Sequence, residues 1–547
     1  MRSDILKKGA ETLPHRALLM SAGVKKEDLN SNKPFIGIAN SYNNIIPGHI
    51  HLNELTAKVK RGIIDAGGIP FEWGVPGVCD GIAMHVEMRL SLPSREHIAD
   101  NVEIMTLSHS MDGWVGVTNC DKITPGMLMA CGRLNIPAMI LTGGPMKSNI
   151  VDGAKKHPIQ GFALAGEVKS GKMSLEEADK MLPCMVCGAG SCVGLYTANT
   201  MAVVTEVLGM SITDCAATLA TDELKKKQAY ETGKRIVELV KNDIKPRDIM
   251  TKGAFENAIR VDMAMGGSTN TVLHIPAIAR EAGIDIGAEL FDKISKDTPN
   301  LCKIIPAGEH EMADIRDAGG IAAVLNRLKD KLVDSPTVNG KSIMEIAKRG
   351  KVVKDSVIRK LEDAYFKEGG IAVLKGNIAN SSVIKQTAVN PGMMKHTGPA
   401  KVFYTEEDLM NAIGSGISEG DVIVLPFQGP CGAPGMPEML TPTDAIKGAG
   451  YKKVALITDG RFSGATVGPC IGHIEMEAYN GGAIGAIRDG DIIEINIPER
   501  KINVKLSDEK IQERLKNVKA PDRKMTPLLE AYREKFKGKN CYGKSFK

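Results

Sequence analysis

A segment reading WVGVTNCDKITPG extends from Trp114 to Gly126 and joins an apolar run to a polar, reactive loop. The apolar run, Trp114 to Thr118, has the length and composition of a strand. Three groups of different chemistry follow it directly: the Cys120 thiol, the Asp121 carboxylate and the Lys122 amine. Because ligands gather at the carboxyl ends of strands in open α/β sheets, we expect this loop to carry function.

The alternation of strand-like and helix-like runs continues on both sides of this segment, between about residues 33 and 330. It predicts a parallel sheet covered by helices. The strand-like runs include Phe35 to Ala39 and Ala138 to Leu141, and the helix-like runs are Leu175 to Met181, Asp222 to Lys241 and Asp317 to Lys331.

The pattern changes after about residue 355, where the apolar runs become short and β-rich. Residues 492–497 and 502–506 alternate with a period of two around a turn at 498–501, and a basic helical tail is expected from about residue 508. We therefore predict an α/β domain with a parallel sheet over residues 1–360, and a mostly β, barrel-like domain over residues 361–547.

Composition excludes several classes of protein. The 547 residues are 43% apolar and 25% charged, as in ordinary globular chains. The 70 basic residues barely exceed the 65 acidic ones and aromatics are only 4%, which disfavours nucleic-acid binding. The N-terminus lacks the apolar core of a signal peptide, and the uncharged stretch at 181–205 is too interrupted for a membrane helix. Eleven cysteines in so long a chain indicate reduced thiols and a cytoplasmic protein.

Four cysteines have a spacing that suits a metal centre. Cys184, Cys187 and Cys192 lie in CMVCGAGSC, and Cys120 is the thiol of the loop described above. They predict an iron-sulfur cluster or, with less support because a second CxxC pair is missing, a structural zinc. The remaining buried-type cysteines fit a core role, namely Cys131, Cys215, Cys302, Cys431, Cys470 and Cys541.

Carboxylates in glycine-rich loops are candidates for a magnesium site. They are Asp80 in VCDGIAM, Asp121, Glu438 in GAPGMPEML and Asp459 in TDGRFSGAT. Taken alone, each such residue is usually a turn residue. Because Asp121 and Lys122 directly follow Cys120, a metal centre bound by the thiolate and a metal centre bound by the carboxylate would lie close together.

Two further motifs carry hydroxyl groups. Ser463, in GRFSGATVG, follows a strand but lacks the G-x-S-x-G pattern of hydrolases, and a serine in this setting is usually an exposed turn residue. The segment MGGSTNT at 265–271 predicts an anion cradle at a helix start, or simply an N-cap.

Eight motifs in order resemble the dihydroxy-acid dehydratase family, part of a wider group with sugar-acid and phosphogluconate dehydratases. The resemblance extends from Arg2 to about Asp491, and its motifs are RSDxLKKGxxxxPHRALL, VCDGIAM, SLPSREHIADNVE, NCDKITPGMLMA, GSCVGLYTANTMA, MAMGGSTNTVLH, GMPEMLTPT and TDGRFSGATVGPCIGHIxxEA.

The resemblance implies dehydration of 2,3-dihydroxy-3-methylbutanoate and 2,3-dihydroxy-3-methylpentanoate to 2-oxo acids, in valine and isoleucine synthesis. It implies that Cys120 and Cys192 bind an iron-sulfur cluster, with [2Fe-2S] favoured over [4Fe-4S]. Mg²⁺ would be bound by Asp80, Asp121, Glu438 and a carboxylated Lys122, and Ser463 would accept the proton. A homodimer is also implied.

The reaction itself requires such a set of groups. Removing a proton next to a carboxylate forms an enediolate, whose negative charge a divalent cation stabilises. Hydroxide is a poor leaving group, so a second Lewis acid with an open position is required. A serine hydroxyl becomes a useful base only where neighbouring cations lower its pKa.

One position departs from the pattern. Many relatives carry a cysteine in a Pro-Cys-Asn sequence where this chain has Gly48, in IIPGHIHL. A third cluster ligand must therefore come from elsewhere, and the stand-ins are Cys79, Cys184 and Cys187.

Two alternative functions remain open at this stage. A sugar-acid or phosphogluconate dehydratase would use the same centres, although a phosphorylated substrate calls for an Arg/Lys cluster that these motifs lack. An iron-sulfur redox or sensor protein would need Cys120 and Cys192 but not Ser463, Glu438 or Lys122.

Overall fold

The computed structural model describes residues 1–545 and confirms the predicted fold class, an α/β part followed by a mostly β part. The first sheet has four parallel strands in the order β2-β1-β3-β4: β1 (Phe35–Asn40), β2 (Ile69–Gly74), β3 (Gly113–Thr118) and β4 (Ala138–Thr142). All residues of β1, β3 and β4 are buried, as expected for a parallel sheet with both faces covered. A small hairpin follows, β5 (Asn149–Val151) and β6 (Ala154–Lys156).

Seventeen helices accompany these strands. They are α1 (Asp4–Lys7), α2 (Leu13–Ser21), α3 (Lys26–Leu29), α4 (Leu52–Asp65), α5 (Ser91–Ser108), α6 (Ile123–Leu134), α7 (Gln160–Lys169), α8 (Leu175–Met181), α9 (Thr197–Val207), α10 (Glu223–Lys241), α11 (Pro246–Ile249), α12 (Lys252–Met265), α13 (Thr271–Glu281), α14 (Ala288–Asp297), α15 (Met312–Asp317), α16 (Gly320–Leu328) and α17 (Ile343–Arg349).

The predicted helical stretch over 317–331 agrees with α16 and the 3-10 helix Lys329–Lys331 that follows it, but α16 begins three residues later than expected. Asp317 ends α15, and α16 begins only at Gly320. Gly319 and Gly320 have φ angles of 117° and 71°, a left-handed conformation that interrupts an α-helix. The two other predicted helices agree with α8 and α10.

The second sheet has eight strands in the order β16-β15-β9-β10-β12-β14-β8-β7. They are β7 (Ile371–Leu374), β8 (Ser381–Lys385), β9 (Lys395–Val402), β10 (Val422–Leu425), β12 (Ala455–Thr458), β14 (Cys470–Glu475), β15 (Ile492–Asn496) and β16 (Lys501–Val504). Its two edge strands meet at a bridge between Lys375 and Lys501, with the Ile502 N–H donating to the Lys375 carbonyl at 3.0 Å. This contact nearly closes the sheet into a barrel.

The centre of this sheet is parallel rather than antiparallel. Strands β9, β10, β12 and β14 pair in parallel, and α18 (Glu406–Ala412) and α19 (Thr441–Ala449) lie in the crossovers. A separate two-stranded ribbon consists of β11 (Glu438–Met439) and β13 (Arg461–Phe462). The tail contains α20 (Asp508–Leu515) and α21 (Pro527–Phe536).

The predicted domain division at residue 360 stays a prediction. The last helix of the first part ends at Arg349 and the first strand of the second sheet begins at Ile371. Residues 546 and 547, at the end of the predicted second domain, lie outside the described residues. Among residues 1–545, no helix combines the length and the apolar composition needed to cross a bilayer.

Helices α4 and α10 approach each other through two glycines. A Cβ atom added at Gly62 would overlap the Tyr230 carbonyl oxygen, and one added at Gly233 would overlap the Val59 carbonyl oxygen. Both helices also pack on strands of the first sheet. The close contact therefore fixes a covering layer of that sheet.

We predict that Gly62→Ala lowers the free energy of unfolding by about 1–3 kcal/mol, because the added methyl must push two helix backbones apart. Gly161→Ala is the matched control, since Gly161 also lies in a helix but has open space around it. The control should be neutral or stabilising by up to about 1 kcal/mol. Urea unfolding of both variants measures the difference, and equal effects would contradict the packing argument.

Candidate active site

The site residues come from loops that follow neighbouring strands. Asp80 lies in the loop after β2, and Asp121 and Lys122 lie in the loop after β3. Because β2 and β3 both flank β1 in parallel, their carboxyl ends meet at one edge of the sheet. The second part of the chain supplies Glu438, on β11, to the same place.

Three carboxylates lie around one buried amine. Carboxylate oxygens of Asp80, Asp121 and Glu438 are all within 4.8 Å of one another. The Lys122 Nζ donates to Asp80 Oδ2 at 2.6 Å and to Glu438 Oε2 at 3.2 Å, and it lies 3.8 Å from Asp121 Oδ2. The Lys122 side chain is 0% exposed. Such a group of hard oxygen ligands suits Mg²⁺.

Asp80 and Asp121 differ in how strongly their surroundings stabilise the ionised carboxylate. Ser91, the first residue of α5, donates its hydroxyl to Asp80 Oδ1 at 2.5 Å. Burial opposes ionisation of Asp80, but Lys122, Arg461 and these hydrogen bonds outweigh it and hold its pKa below the usual value. Burial raises the pKa of Asp121 to about 8, and the nearby carboxylates of Asp80 and Glu438 add to the rise.

Arg461 is the second buried cation of the site, and sequence reasoning did not assign it a role. It stands opposite Glu438 in the β11–β13 ribbon, and its Nη1 pairs with the Glu438 carboxylate. Its Nε donates to the Met436 carbonyl at 2.7 Å, and its Nη1 is 3.9 Å from Asp80 Oδ2. Among residues 1–545, these three carboxylates face two cations, which leaves negative charge for a divalent ion to offset.

The motif at 265–271 contributes Asn270 to the site. Its amide Nδ2 donates to Glu438 Oε2 at 3.4 Å and to the Phe462 carbonyl at 3.1 Å. Asn270 also precedes the first residue of α13 without capping that helix through its side chain. The motif therefore links α13 to the carboxylate site, and its predicted role as an anion cradle stays a prediction.

Ser463 follows β13 directly, in the loop predicted from sequence. The Ala465 N–H donates to its Oγ at 3.2 Å, and its own N–H donates to the Met439 carbonyl. A Cβ atom at the next residue, Gly464, would lie 2.7 Å from the Thr197 nitrogen at the start of α9. The glycine is needed because the loop touches the first part of the chain there.

Cys120 and Cys192 are both half-buried at this same contact between the two parts of the chain. Cys120 has a φ angle of 56°, a left-handed conformation that costs energy in a residue with a side chain. Cys192 packs with Tyr196, Leu440 and Ala465, so it lies beside the loop that holds Ser463. Burial raises the pKa of both thiols well above the usual value, and Cys79 adds to the rise in each.

The other members of the predicted thiol set have different surroundings. The Cys187 thiol donates to the Lys156 and Met185 carbonyls, both at 3.4 Å. Cys184 lies on a short 3-10 helix, and its carbonyl accepts a hydrogen bond from Asn149. Asp459, a further sequence candidate, accepts backbone N–H groups of Phe427, Gln428 and Ala478 and so has a structural role.

A cavity of about 410 Å³ reaches Glu438 from the surface. Arg89, Arg523 and Lys524 line it, although none belongs to a motif that was singled out for chemistry. The Nη1 of Arg89 and the Nε of Arg523 are buried without a hydrogen-bond partner among the described residues. Sequence could not reveal this cationic cluster, because the tail brings Lys524 back to Arg89, more than 400 residues earlier, where the Arg89 Nη2 donates to the Lys524 carbonyl.

Known protein families match both parts of the chain. Residues 33–346 match the family described as Dihydroxy-acid/6-phosphogluconate dehydratase N-terminal, and residues 356–540 match its C-terminal counterpart. Both halves of the site therefore lie within matched regions.

Curated relatives match over nearly the whole chain. A dihydroxy-acid dehydratase of Thermodesulfovibrio yellowstonii is 54% identical, covering 96% of each chain. Dihydroxy-acid dehydratases of Methanobrevibacter smithii and Methanococcus vannielii are 52% and 53% identical, covering 97% of this chain and 97% and 98% of theirs. The chain therefore belongs to the dihydroxy-acid/6-phosphogluconate dehydratase family.

Proposed function

We propose that this chain is a hydro-lyase that converts 2,3-dihydroxy-3-methylbutanoate and 2,3-dihydroxy-3-methylpentanoate to the corresponding 2-oxo acids, for valine and isoleucine synthesis. The observation that carries the proposal is full-length identity above 50% to relatives named dihydroxy-acid dehydratase. The buried acidic site beside two thiols supports the same chemistry. A cytoplasmic homodimer is part of the proposal.

The donor set fits a magnesium ion. Asp80, Asp121 and Glu438 would hold it, since three carboxylates converge there with too little positive charge. Carboxylation of Lys122 would replace its positive charge with a negative one and add oxygen ligands. Bound Mg²⁺ supplies charge stabilisation at the substrate carboxylate and 2-hydroxyl.

Cys120 and Cys192 fit an iron-sulfur cluster, with [2Fe-2S] favoured. Both thiols are soft ligands, and both are half-buried where loops of the two sheets meet. The carboxylate of Asp121, a hard ligand, belongs to the residue directly after Cys120. The cluster supplies a Lewis acid for the departing 3-hydroxyl. Raised thiol pKa values mean that these cysteines release protons when they bind metal.

Ser463 takes the proton from C2 of the substrate in this proposal. The Ala465 N–H that donates to its Oγ favours the ionised form of the hydroxyl. Arg461, two residues away and fully buried, holds positive charge in the same loop region. The enol product then tautomerises to the 2-oxo acid.

A second candidate substrate is a phosphorylated sugar acid. The matched family description names 6-phosphogluconate dehydratase as well. Three cations around the cavity, Arg89, Arg523 and Lys524, supply the kind of cluster that a phosphate binds. The same three cations would also attract the carboxylate of a smaller substrate. The rates at which the two kinds of substrate are turned over must therefore be compared.

We predict that the anaerobically reconstituted protein with Mg²⁺ favours the branched dihydroxy acids over 6-phosphogluconate and unphosphorylated sugar acids by at least about 100-fold in kcat/KM. The assay is 2-oxo acid formation across this panel. Faster turnover of 6-phosphogluconate would replace the substrate assignment with the second candidate.

Replacing Ser463 with alanine should lower kcat by about 10²–10⁴-fold, because the variant lacks the proton acceptor. Iron and sulfide content and Mg²⁺ affinity should stay at wild-type values. Ser170→Ala, a serine at the end of α7, is the matched control and should keep full activity. A Ser463→Ala variant with normal kcat would remove Ser463 from the mechanism.

Two aspartate variants separate metal binding from folding. Asp121→Asn should weaken Mg²⁺ binding at least about tenfold while keeping or raising the thermal stability of the metal-free protein. Its carboxylate is repelled by two others, and its nearest cation is 3.8 Å away.

Asp80→Asn is the comparison, and it should weaken Mg²⁺ binding and also lower stability. It removes an ion pair at 2.6 Å and a charged acceptor for Ser91. Mg²⁺ titration calorimetry and thermal unfolding in a chelator measure both effects. Equal stability losses in the two variants would contradict this charge distribution.

A further inference from the structure

We propose that Asn270 is a positioning residue for the dehydration, and that its side-chain amide holds the backbone of Ser463 in place beside Glu438. The inference rests on the proposed function, because Ser463 is the proton acceptor assigned there. It goes beyond that function in giving a role to a residue that is neither a metal ligand nor the base.

The peptide unit that joins Phe462 to Ser463 is held on both sides. The Asn270 Nδ2 donates to the Phe462 carbonyl at 3.1 Å. The N–H of the same peptide unit, which belongs to Ser463, donates to the Met439 carbonyl at 3.2 Å. Because Met439 follows Glu438 directly on β11, these two bonds set the backbone of the proposed base against the strand that carries a proposed magnesium ligand.

Asn270 brings the first part of the chain to this peptide unit. It lies 192 residues before Phe462, at the turn between α12 and α13, and it is 0% exposed. Its Nδ2 also donates to the Thr197 hydroxyl at 3.0 Å, and Thr197 is the first residue of α9. The amide therefore joins the Ser463 loop to the start of a helix in the first part of the chain.

The turn that presents Asn270 is itself fixed by hydrogen bonds. The Asn270 N–H donates to the Ser268 Oγ at 3.2 Å, and the Ser268 N–H donates to the Thr200 hydroxyl of α9 at 3.2 Å. The Thr271 hydroxyl donates to Asp262 Oδ2 at 2.8 Å. Because its neighbours on both sides are held, the amide approaches the site from a fixed direction.

The residue after Ser463 touches the same turn. A Cβ atom added at Gly464 would lie 2.9 Å from the Ser268 Oγ and 2.7 Å from the Thr197 nitrogen. The glycine lets the loop approach this closely, so a displacement of the turn would be passed on to the loop.

An amide has the hydrogen-bonding groups that this position requires. The Asn270 Nδ2 faces three oxygen acceptors, namely the Phe462 carbonyl, the Thr197 hydroxyl and, at 3.4 Å, the Glu438 carboxylate. Its Oδ1 accepts from the Arg461 Nη1 at 3.4 Å. An ionised aspartate of the same size could donate to none of these oxygens. The neutral amide thus holds the loop without adding charge to the metal site.

This role predicts a loss of rate rather than of substrate binding. Displacement of a reacting group by about 1 Å can cost about 10²-fold in rate. Asn270 acts through the backbone of Ser463, so its removal should affect the step in which Ser463 takes the proton.

The first test is a double-mutant cycle on kcat, with full-length protein reconstituted with iron and sulfide and supplied with Mg²⁺. Asn270→Ala should lower kcat about 10–100-fold while KM changes less than about threefold. In Ser463→Ala protein the same substitution should lower kcat less than about threefold further, because the residue that Asn270 positions is already missing. An equal loss in both backgrounds would overturn the proposal.

Two further variants separate hydrogen bonding from packing. Asn270→Asp, which keeps the size of the side chain, should lower kcat at least as much as Asn270→Ala, and a wild-type kcat in this variant would overturn the proposal. Asn257→Ala is the matched control, since Asn257 is also buried and its Nδ2 donates to the Val333 carbonyl at 2.6 Å. It should lower thermal stability and keep the wild-type kcat.

The second test needs no turnover. Amide hydrogen exchange in residues 461–468 of the full-length protein, measured by mass spectrometry, should be at least about tenfold faster in Asn270→Ala than in wild type. In Asn257→Ala it should keep the wild-type rate. Unchanged exchange in Asn270→Ala would overturn the proposal. Wild-type protein that does not dehydrate the branched acids would instead refute the proposed function, so the two failures are distinguishable.

Discussion

The burial of the Lys122 amine among three carboxylates is the constraint on which the rest of the structure depends. A fully buried ammonium group is tolerated only with close partners, and two of its partners, Asp80 and Glu438, come from chain segments more than 350 residues apart. Removing either carboxylate would take a close partner away from the buried amine. The ion pairs therefore tie the first sheet to the second part of the chain at the point where the chemistry is proposed to occur.

The α/β part and the mostly β part of the chain contribute different residues to this site. The parallel sheet brings loops that follow separate strands to one edge, which places Asp80 beside Asp121. The β11–β13 ribbon sets Glu438 opposite Arg461 and presents Ser463 one residue after the ribbon ends. Negative charge is thus concentrated where a divalent ion would neutralise it, with soft thiol ligands beside it. This separation of hard and soft donors suits a dehydration that needs two different Lewis acids.

Sequence predicted much of this because the relevant signals are local. Strands such as Trp114 to Thr118 are short apolar runs followed by polar loops, and Asp121 and Lys122 are neighbours in the chain. The features that sequence did not predict depend on contacts between segments that are far apart in the chain. The pairing of Arg461 with Glu438, the amide of Asn270 beside that carboxylate, and the cavity cations Arg89 and Arg523 arise only when the tail and both sheets are in place. The break before α16 was missed because helix-favouring residues on both sides concealed the effect of Gly319 and Gly320.

One buried junction is proposed to perform the dehydration with a magnesium ion and a cluster together. The most direct measurement is anaerobic 2-oxo acid formation from 2,3-dihydroxy-3-methylbutanoate, with Mg²⁺ and the cluster each withheld separately. We expect rapid formation of the 2-oxo acid when both are present and almost none when either is missing. Turnover that persists without Mg²⁺ or without the cluster would contradict it.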